Sequence, residues 1–177
     1  MRDVIWIVIT PAALLTGGLI GSYRMRLHPR TDLGLQRPSV RHALIFGAIF
    51  IALMAIHESL YHLLGLEQQS DWRRYDATAL AVRVVFAAFV YPIAEEFFFR
   101  GFLLGLITRK AGAMVAIVAT AVLFTALHGL GGPWIGGLQI LADGLFFAYV
   151  RLRSGSLLLP IAFHIVGNSV AVLQRLY

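Results

Sequence analysis

Apolar residues run along the chain in long blocks separated by short polar stretches. Six blocks can be drawn, at about residues 4–23, 41–66, 77–108, 111–129, 134–150 and 156–176. An α-helix rising about 1.5 Å per residue needs ~20 such residues to cross ~30 Å of hydrocarbon. The pattern therefore predicts an all-α, polytopic transmembrane helix bundle of about six spans, with residues 1–177 forming a single domain. The first block is read as a span and not as a cleaved leader, because Asp3 spoils the basic n-region and no small-residue cleavage site follows.

The connections differ in character. Residues 24–40 carry Arg24, Arg26, Arg30 and Arg37 together with Pro29 and Pro38, which argue against a continuous helix and predict a basic loop. Residues 67–76 include Trp72, Arg73, Arg74 and Tyr75, the aromatic and basic make-up of an interfacial segment. The other turns are short: Arg109-Lys110, the glycine-rich stretch 129–133, and residues 151–155.

Composition supports the membrane reading. Of 177 residues, 59% are apolar and 14% charged, and the mean hydropathy of +0.78 exceeds that of ordinary soluble domains. The formal charge of +6 would suit nucleic acid, but the arginines sit in loops between greasy segments and read as topology signals, so no nucleic-acid partner is expected. Nine Lys and Arg residues fall in the first, third and fifth loops against four on the other side, which places those loops in the cytoplasm. The absence of cysteine excludes disulfides, thiolate metal sites and cysteine nucleophiles.

Against this background the informative residues are those that are costly in a bilayer, at about 2.5–3.5 kcal/mol for a charge at mid-depth. The third span holds Glu95, Glu96 and Arg100, the fourth His128, and the sixth His164 and Asn168. Glu96 and Arg100 are four apart and can pair along one helix face, while Glu95 points about 100° away, toward the bundle centre as a candidate base. His164 and Asn168 are also four apart, so one face offers an imidazole and a carboxamide as a donor clamp. By helical rise, Glu95 and His128 lie roughly 21–27 Å from the Arg109-Lys110 hairpin and His164 about 16 Å past Arg153. These heights agree only to within several ångströms.

Two other groups draw attention. His57-Glu58-Ser-Leu-Tyr-His62 is close to the zinc-helix motif H-E-x-x-H, but its histidines are five apart and Tyr61 occupies the ligand position. His57, Glu58 and His62 are therefore expected to be interfacial or satisfied core groups, with Glu58 and His62 able to bond to each other. Asp143 in the fifth span is a candidate support for Arg100 or for a site histidine.

At these residues the sequence resembles the CAAX-prenyl-protease and bacteriocin-processing (Abi) family of intramembrane endopeptidases. The family's E-E-x-x-x-R corresponds to Glu95-Glu96-Phe-Phe-Phe-Arg100, its F-x-x-x-H to Phe124 through His128, and its H-x-x-x-N to His164 through Asn168. The run from Gly144 to Leu157 and Leu33-Gly-Leu35 also look familial, and the similarity covers about residues 78–172. The resemblance implies a multi-pass protein of a prokaryotic inner membrane that cleaves a membrane-associated peptide or protein substrate within the lipid bilayer. Glu95 and His128 would position and deprotonate a water, His164 and Asn168 would stabilise the oxyanion, and Glu96 and Arg100 would support that geometry.

Two chemistries fit these residues. Glu95, His128 and His164 could be the three protein ligands of a catalytic Zn2+, and the family is often labelled metalloprotease. A metal-free glutamate mechanism uses the same groups and is favoured, because Asn168 one turn from His164 suits oxyanion binding better than metal ligation. Other classes are a non-catalytic membrane scaffold or bacteriocin self-immunity protein, and a small transporter relaying protons through the Glu and His chain.

Overall fold

The computed structural model describes residues 2–66, 72–128 and 134–176, and for residues 2–5 and 134 the backbone alone. Residues 67–71 of the interfacial stretch and the glycine-rich turn 129–133 lie outside the described residues. The remainder is helical and contains no strand: α1 (Arg2–Arg24), α2 (Val40–Leu63), α3 (Ala77–Ala111), α4 (Ala113–Leu127), α5 (Trp134–Ser154) and α6 (Leu158–Gln174). The all-α bundle expected from the apolar blocks is the one observed.

Local sequence accounts for the helix boundaries. Ser39 caps α2 by accepting from the backbone N–H of His42, and Asp76 caps α3 by accepting from Thr78 and Ala79, each satisfying amides that a helix start leaves free. Gly112 alone separates α3 from α4, so those helices form a tight hairpin.

The spans are less uniform than the apolar pattern suggests. Within α1, α2, α3 and α5, the stretches Trp6–Arg24, Val40–Leu63, Ala77–Ala111 and Ile135–Ser154 are long and apolar enough to cross a membrane, whereas α4 has 15 residues and α6 has 17. At 1.5 Å per residue these two reach only about 22 and 25 Å. The fourth apolar block extends to residue 129, but its helix stops at Leu127 and leaves His128 at the cap. Non-helical backbone at membrane depth is tolerated where it borders a cavity.

α3 is the second departure. It contains two π-helical stretches, Phe86–Val90 and Phe97–Leu103, on either side of the turn that carries Glu95 and Glu96. Such wide turns break the 3.6-residue phase and collect at functional sites. α1 lies against the second of them, with Gly18 and Gly21 facing Phe97 and Phe102, where small residues allow close approach.

The bundle centre is aromatic and small. Phe46 and Phe50 of α2 pack on Phe147 and Val150 of α5 and on Leu159 and Phe163 of α6, while Leu104, Ala116 and Ala148 join α3, α4 and α5. A Cβ on Gly144 would stand 3.2 Å from Ala121, so glycine sets the spacing of α4 and α5.

Residues 25–39, within the basic loop expected from the sequence, form a structured cap over one end of the bundle. The buried Arg151 donates to the backbone oxygens of Asp32 at 2.9 Å and Thr31 at 3.3 Å, and Arg109 pairs with the Asp32 carboxylate at 3.3 Å. The Leu157 amide donates to Gly34 O at 2.8 Å, and Gln36 bonds Gly155 O. Gly34 has φ +71°, and any Cβ there would overlap the Arg151 guanidinium. Guanidinium donors satisfy the loop carbonyls, which lets Leu27 and Leu33 be buried beneath them. The first, third and fifth connections thus share one end of the bundle, as the charge count required.

Candidate active site

Three helices bring the costly side chains together. Glu96 and Arg100 are each 0% exposed, and Arg100 Nη1 donates to Glu96 Oε1 at 2.9 Å, the i,i+4 pair expected from the spacing. A fully buried guanidinium needs further partners. Arg100 finds them in Gly144 O at 3.2 Å and in the Phe124 ring, whose centroid lies 4.4 Å from Cζ. The contact from α5 is therefore the carbonyl of Gly144 and not the carboxylate of Asp143.

Glu95, at 8% exposed, reaches His164 at the ring nitrogen opposite the one Glu96 holds. Its Oε1 lies 3.7 Å from His128 Nε2 and its Oε2 lies 3.7 Å from His164 Nε2, so each carboxylate oxygen faces one imidazole. Glu95 and His164 therefore stand at one height, which helical rise gives only to within several ångströms.

Both rings are held from behind. His128 Nδ1 is 2.8 Å from Phe124 O, and because a carbonyl can only accept, Nδ1 carries the proton and Nε2 is the nitrogen presented to Glu95. The Phe124 ring packs 4.1 Å from the His128 ring centroid. His164 Nδ1 lies 3.0 Å from Glu96 Oε1, the same oxygen that receives Arg100. Sequence spacing gives no sign of this link between Glu96 and His164, because it spans 68 positions between two helices.

Asn168 lies one turn beyond His164. Its Nδ2 donates to Ala87 O at 2.9 Å, a backbone oxygen in the first π-turn of α3. One amide hydrogen of the carboxamide is thus spent on the fold and one remains.

His128, His164 and Asn168 line a cavity of about 1100 Å³ that continues past Asp143 and His57 to Tyr61, Gln139 and Gln174, away from the basic cap. His57 and Glu58, expected to be interfacial or satisfied core groups, both line this cavity. His57 Nδ1 is 3.9 Å from Asp143 Oδ1, and Glu58 accepts from Gln174 at 2.8 Å and not from His62. The signal that could have found them is their cost, since ionisable residues inside spans are functional candidates by default. Among the described residues no group of three His, Cys, Asp or Glu side chains is placed to hold a metal ion. Glu95, His128 and His164 meet pairwise, through different oxygens of Glu95.

The family model described as type II CAAX prenyl endopeptidase Rce1-like matches residues 77–170, a range that contains Glu95, Glu96, Arg100, His128, His164 and Asn168. The chain belongs to this Rce1-like family. An uncharacterized protein, YyaK of Bacillus subtilis (strain 168), is 26% identical over 182 residues, covering 95% of this chain and 58% of its own length. The chain thus spans little more than half the length of that relative. No solved structure matches it. Membership of the Rce1-like family and the long apolar helices together make this an integral membrane protein of a protease family.

Proposed function

We propose that the protein is an intramembrane endopeptidase that hydrolyses a peptide bond of a membrane-associated substrate, using Glu95 and His128 to activate water. The observation that carries this reading is the Glu95 carboxylate bracketed at 3.7 Å by two imidazoles, beside a cavity large enough for a peptide segment. A gap of 3.7 Å is too long for a direct hydrogen bond, so both Glu95 oxygens stay available to a water beside them.

In the proposed reaction a water held by Glu95 and His128 Nε2 passes a proton to the Glu95 carboxylate as its oxygen attacks the scissile carbonyl carbon. The resulting oxyanion accepts from His164 Nε2–H and from the remaining amide hydrogen of Asn168. His164 donates from Nε2, with Nδ1 held by Glu96 Oε1 at 3.0 Å. Collapse breaks the C–N bond, and the proton held by Glu95 goes to the leaving amine, giving a carboxylic acid and an amine that exchange the water's second proton to become carboxylate and ammonium. Positioned general bases and oxyanion donors each contribute large factors to such reactions.

The test uses purified protein in lipid nanodiscs and an internally quenched, lipid-anchored peptide. Glu95→Ala and His128→Ala are each expected to abolish cleavage while the protein stays folded; full activity in both variants would sink the proposal. A non-catalytic scaffold or immunity role predicts instead that protection or complex formation survives Glu95→Gln.

A further inference from the structure

We infer that His57 and Asp143 form a specificity subsite that receives a cationic side chain, lysine or arginine, of the peptide substrate. The inference rests on the hydrolase reading above and extends it to a part of the cavity that reading leaves unused.

Both residues lie inside membrane-crossing helices, His57 in α2 and Asp143 in α5, where ionisable groups are costly and require partners. They face each other at 3.9 Å, within ion-pair range but beyond hydrogen-bond reach. Neither carboxylate oxygen of Asp143 accepts a hydrogen bond from another described residue, although a carboxylate can accept about four. The side chains of His57 and Asp143 are 16% and 28% exposed, and that exposure is to the cavity containing His128 and His164.

The surrounding charges favour a cation over a neutral donor. Arg100, the guanidinium nearest the catalytic cluster, is already neutralised by Glu96. The Arg175 guanidinium lies toward the other end of the cavity, over the Trp72 ring at 5.5 Å. Glu58 and Asp143 line the space, with Glu95 behind His164, against the guanidinium of Arg175 at the far end. A half-buried carboxylate of this kind is stabilised by an ammonium or guanidinium that brings both charge and hydrogen-bond donors. The shape agrees, because Phe50, Met54 and Ile140 also line the cavity and suit the aliphatic stem of such a side chain while its head reaches Asp143.

The experiment scans a single lysine through the positions around the scissile bond of the lipid-anchored peptide, with norleucine as the uncharged control at each position. Wild-type protein is expected to show one register in which kcat/KM for lysine exceeds that for norleucine by about tenfold or more, the scale of a charge-assisted bond. Asp143→Asn should bring that ratio close to one, and Asp143→Glu, which keeps the charge, should retain it. A wild-type scan with no lysine preference at any register, or a preference untouched in Asp143→Asn, overturns the subsite. Anisotropy measurements of the same peptides on Glu95→Gln protein separate the two readings. Selective lysine binding without wild-type cleavage would keep the subsite and remove the hydrolase; cleavage without lysine preference would do the reverse.

Discussion

Glu96 Oε1 receives two partners at once, Arg100 Nη1 at 2.9 Å and His164 Nδ1 at 3.0 Å. The carboxylate that neutralises the most deeply buried cation in the bundle is therefore also the one that orients a site imidazole. One oxygen thus serves the ion pair and the imidazole together.

Glu96→Ala should consequently do two kinds of damage. Leaving Arg100 charged and unpaired in a fully buried position costs about 3–5 kcal/mol. Thermal unfolding in detergent should register that loss, and it should be far larger than for Glu95→Gln, which leaves the ion pair intact. Glu96→Gln, which preserves a hydrogen-bond acceptor, should recover part of the stability but less of the activity, since the charge facing His164 is gone. Equal unfolding temperatures for Glu96→Ala and wild type would contradict the assignment.

Much of this arrangement is legible in the sequence. The pair Glu96–Arg100 follows from i,i+4 spacing, and the cost of Glu95, His128, His164 and Asn168 in an apolar chain marks them as a set. What stays hidden depends on interhelical contacts or on departures from ideal helix geometry. The 3.6-residue phase that places side chains around a helix fails across Phe86–Val90 and Phe97–Leu103, so periodicity does not give the angular relation of Asn168 to α3. His57 and Asp143 are 86 positions apart, and nothing local distinguishes a partnered histidine from a solvated one. The loop 25–39 looks like solvent-facing charge because the buried roles of Arg151 and Leu33 depend on how the loop meets the helix ends and not on its own composition.

Asn168→Ala separates two roles of one side chain. In the proposed mechanism it removes an oxyanion donor, which lowers kcat by roughly 10²–10³-fold with little change in KM. It also removes the bond to Ala87 O, worth about 1 kcal/mol in a typical case. Steady-state kinetics on the lipid-anchored peptide, alongside an unfolding curve, should show a large loss of turnover and a small loss of stability. A variant whose KM rises while kcat stays constant would move Asn168 from the oxyanion to ground-state binding.

Arg151→Ala tests the basic cap. Without the guanidinium, the carbonyls of Thr31 and Asp32 lose their donors and the space beside Gly34 opens. Trypsin should then cut after Arg26 or Arg30 well before the helices are digested, and mass spectrometry of the fragments locates the cuts. Arg153→Ala, two positions along the same helix end and exposed, is the matched control and should leave the cap resistant. Cutting at the same rate in both variants would dismiss the anchoring role.

The two π-turns of α3 also bear on how this chain can change length over evolution. A π-turn holds one residue more than an α-turn, so the helix before Phe86 and the helix after Leu103 are offset from a common register. Removing one residue inside either stretch would let the wide turn close to an α-turn, which completes about the same sweep with one residue fewer, so the helix beyond would keep nearly the same facing. A deletion in the regular turn Tyr91–Glu96 has no such slack and would swing Ala87 O about 100° away from Asn168. The π-turns are therefore where this helix can lose a residue, while its count across Tyr91–Glu96 is held by packing on both sides, and a single-residue deletion there should lower both stability and activity.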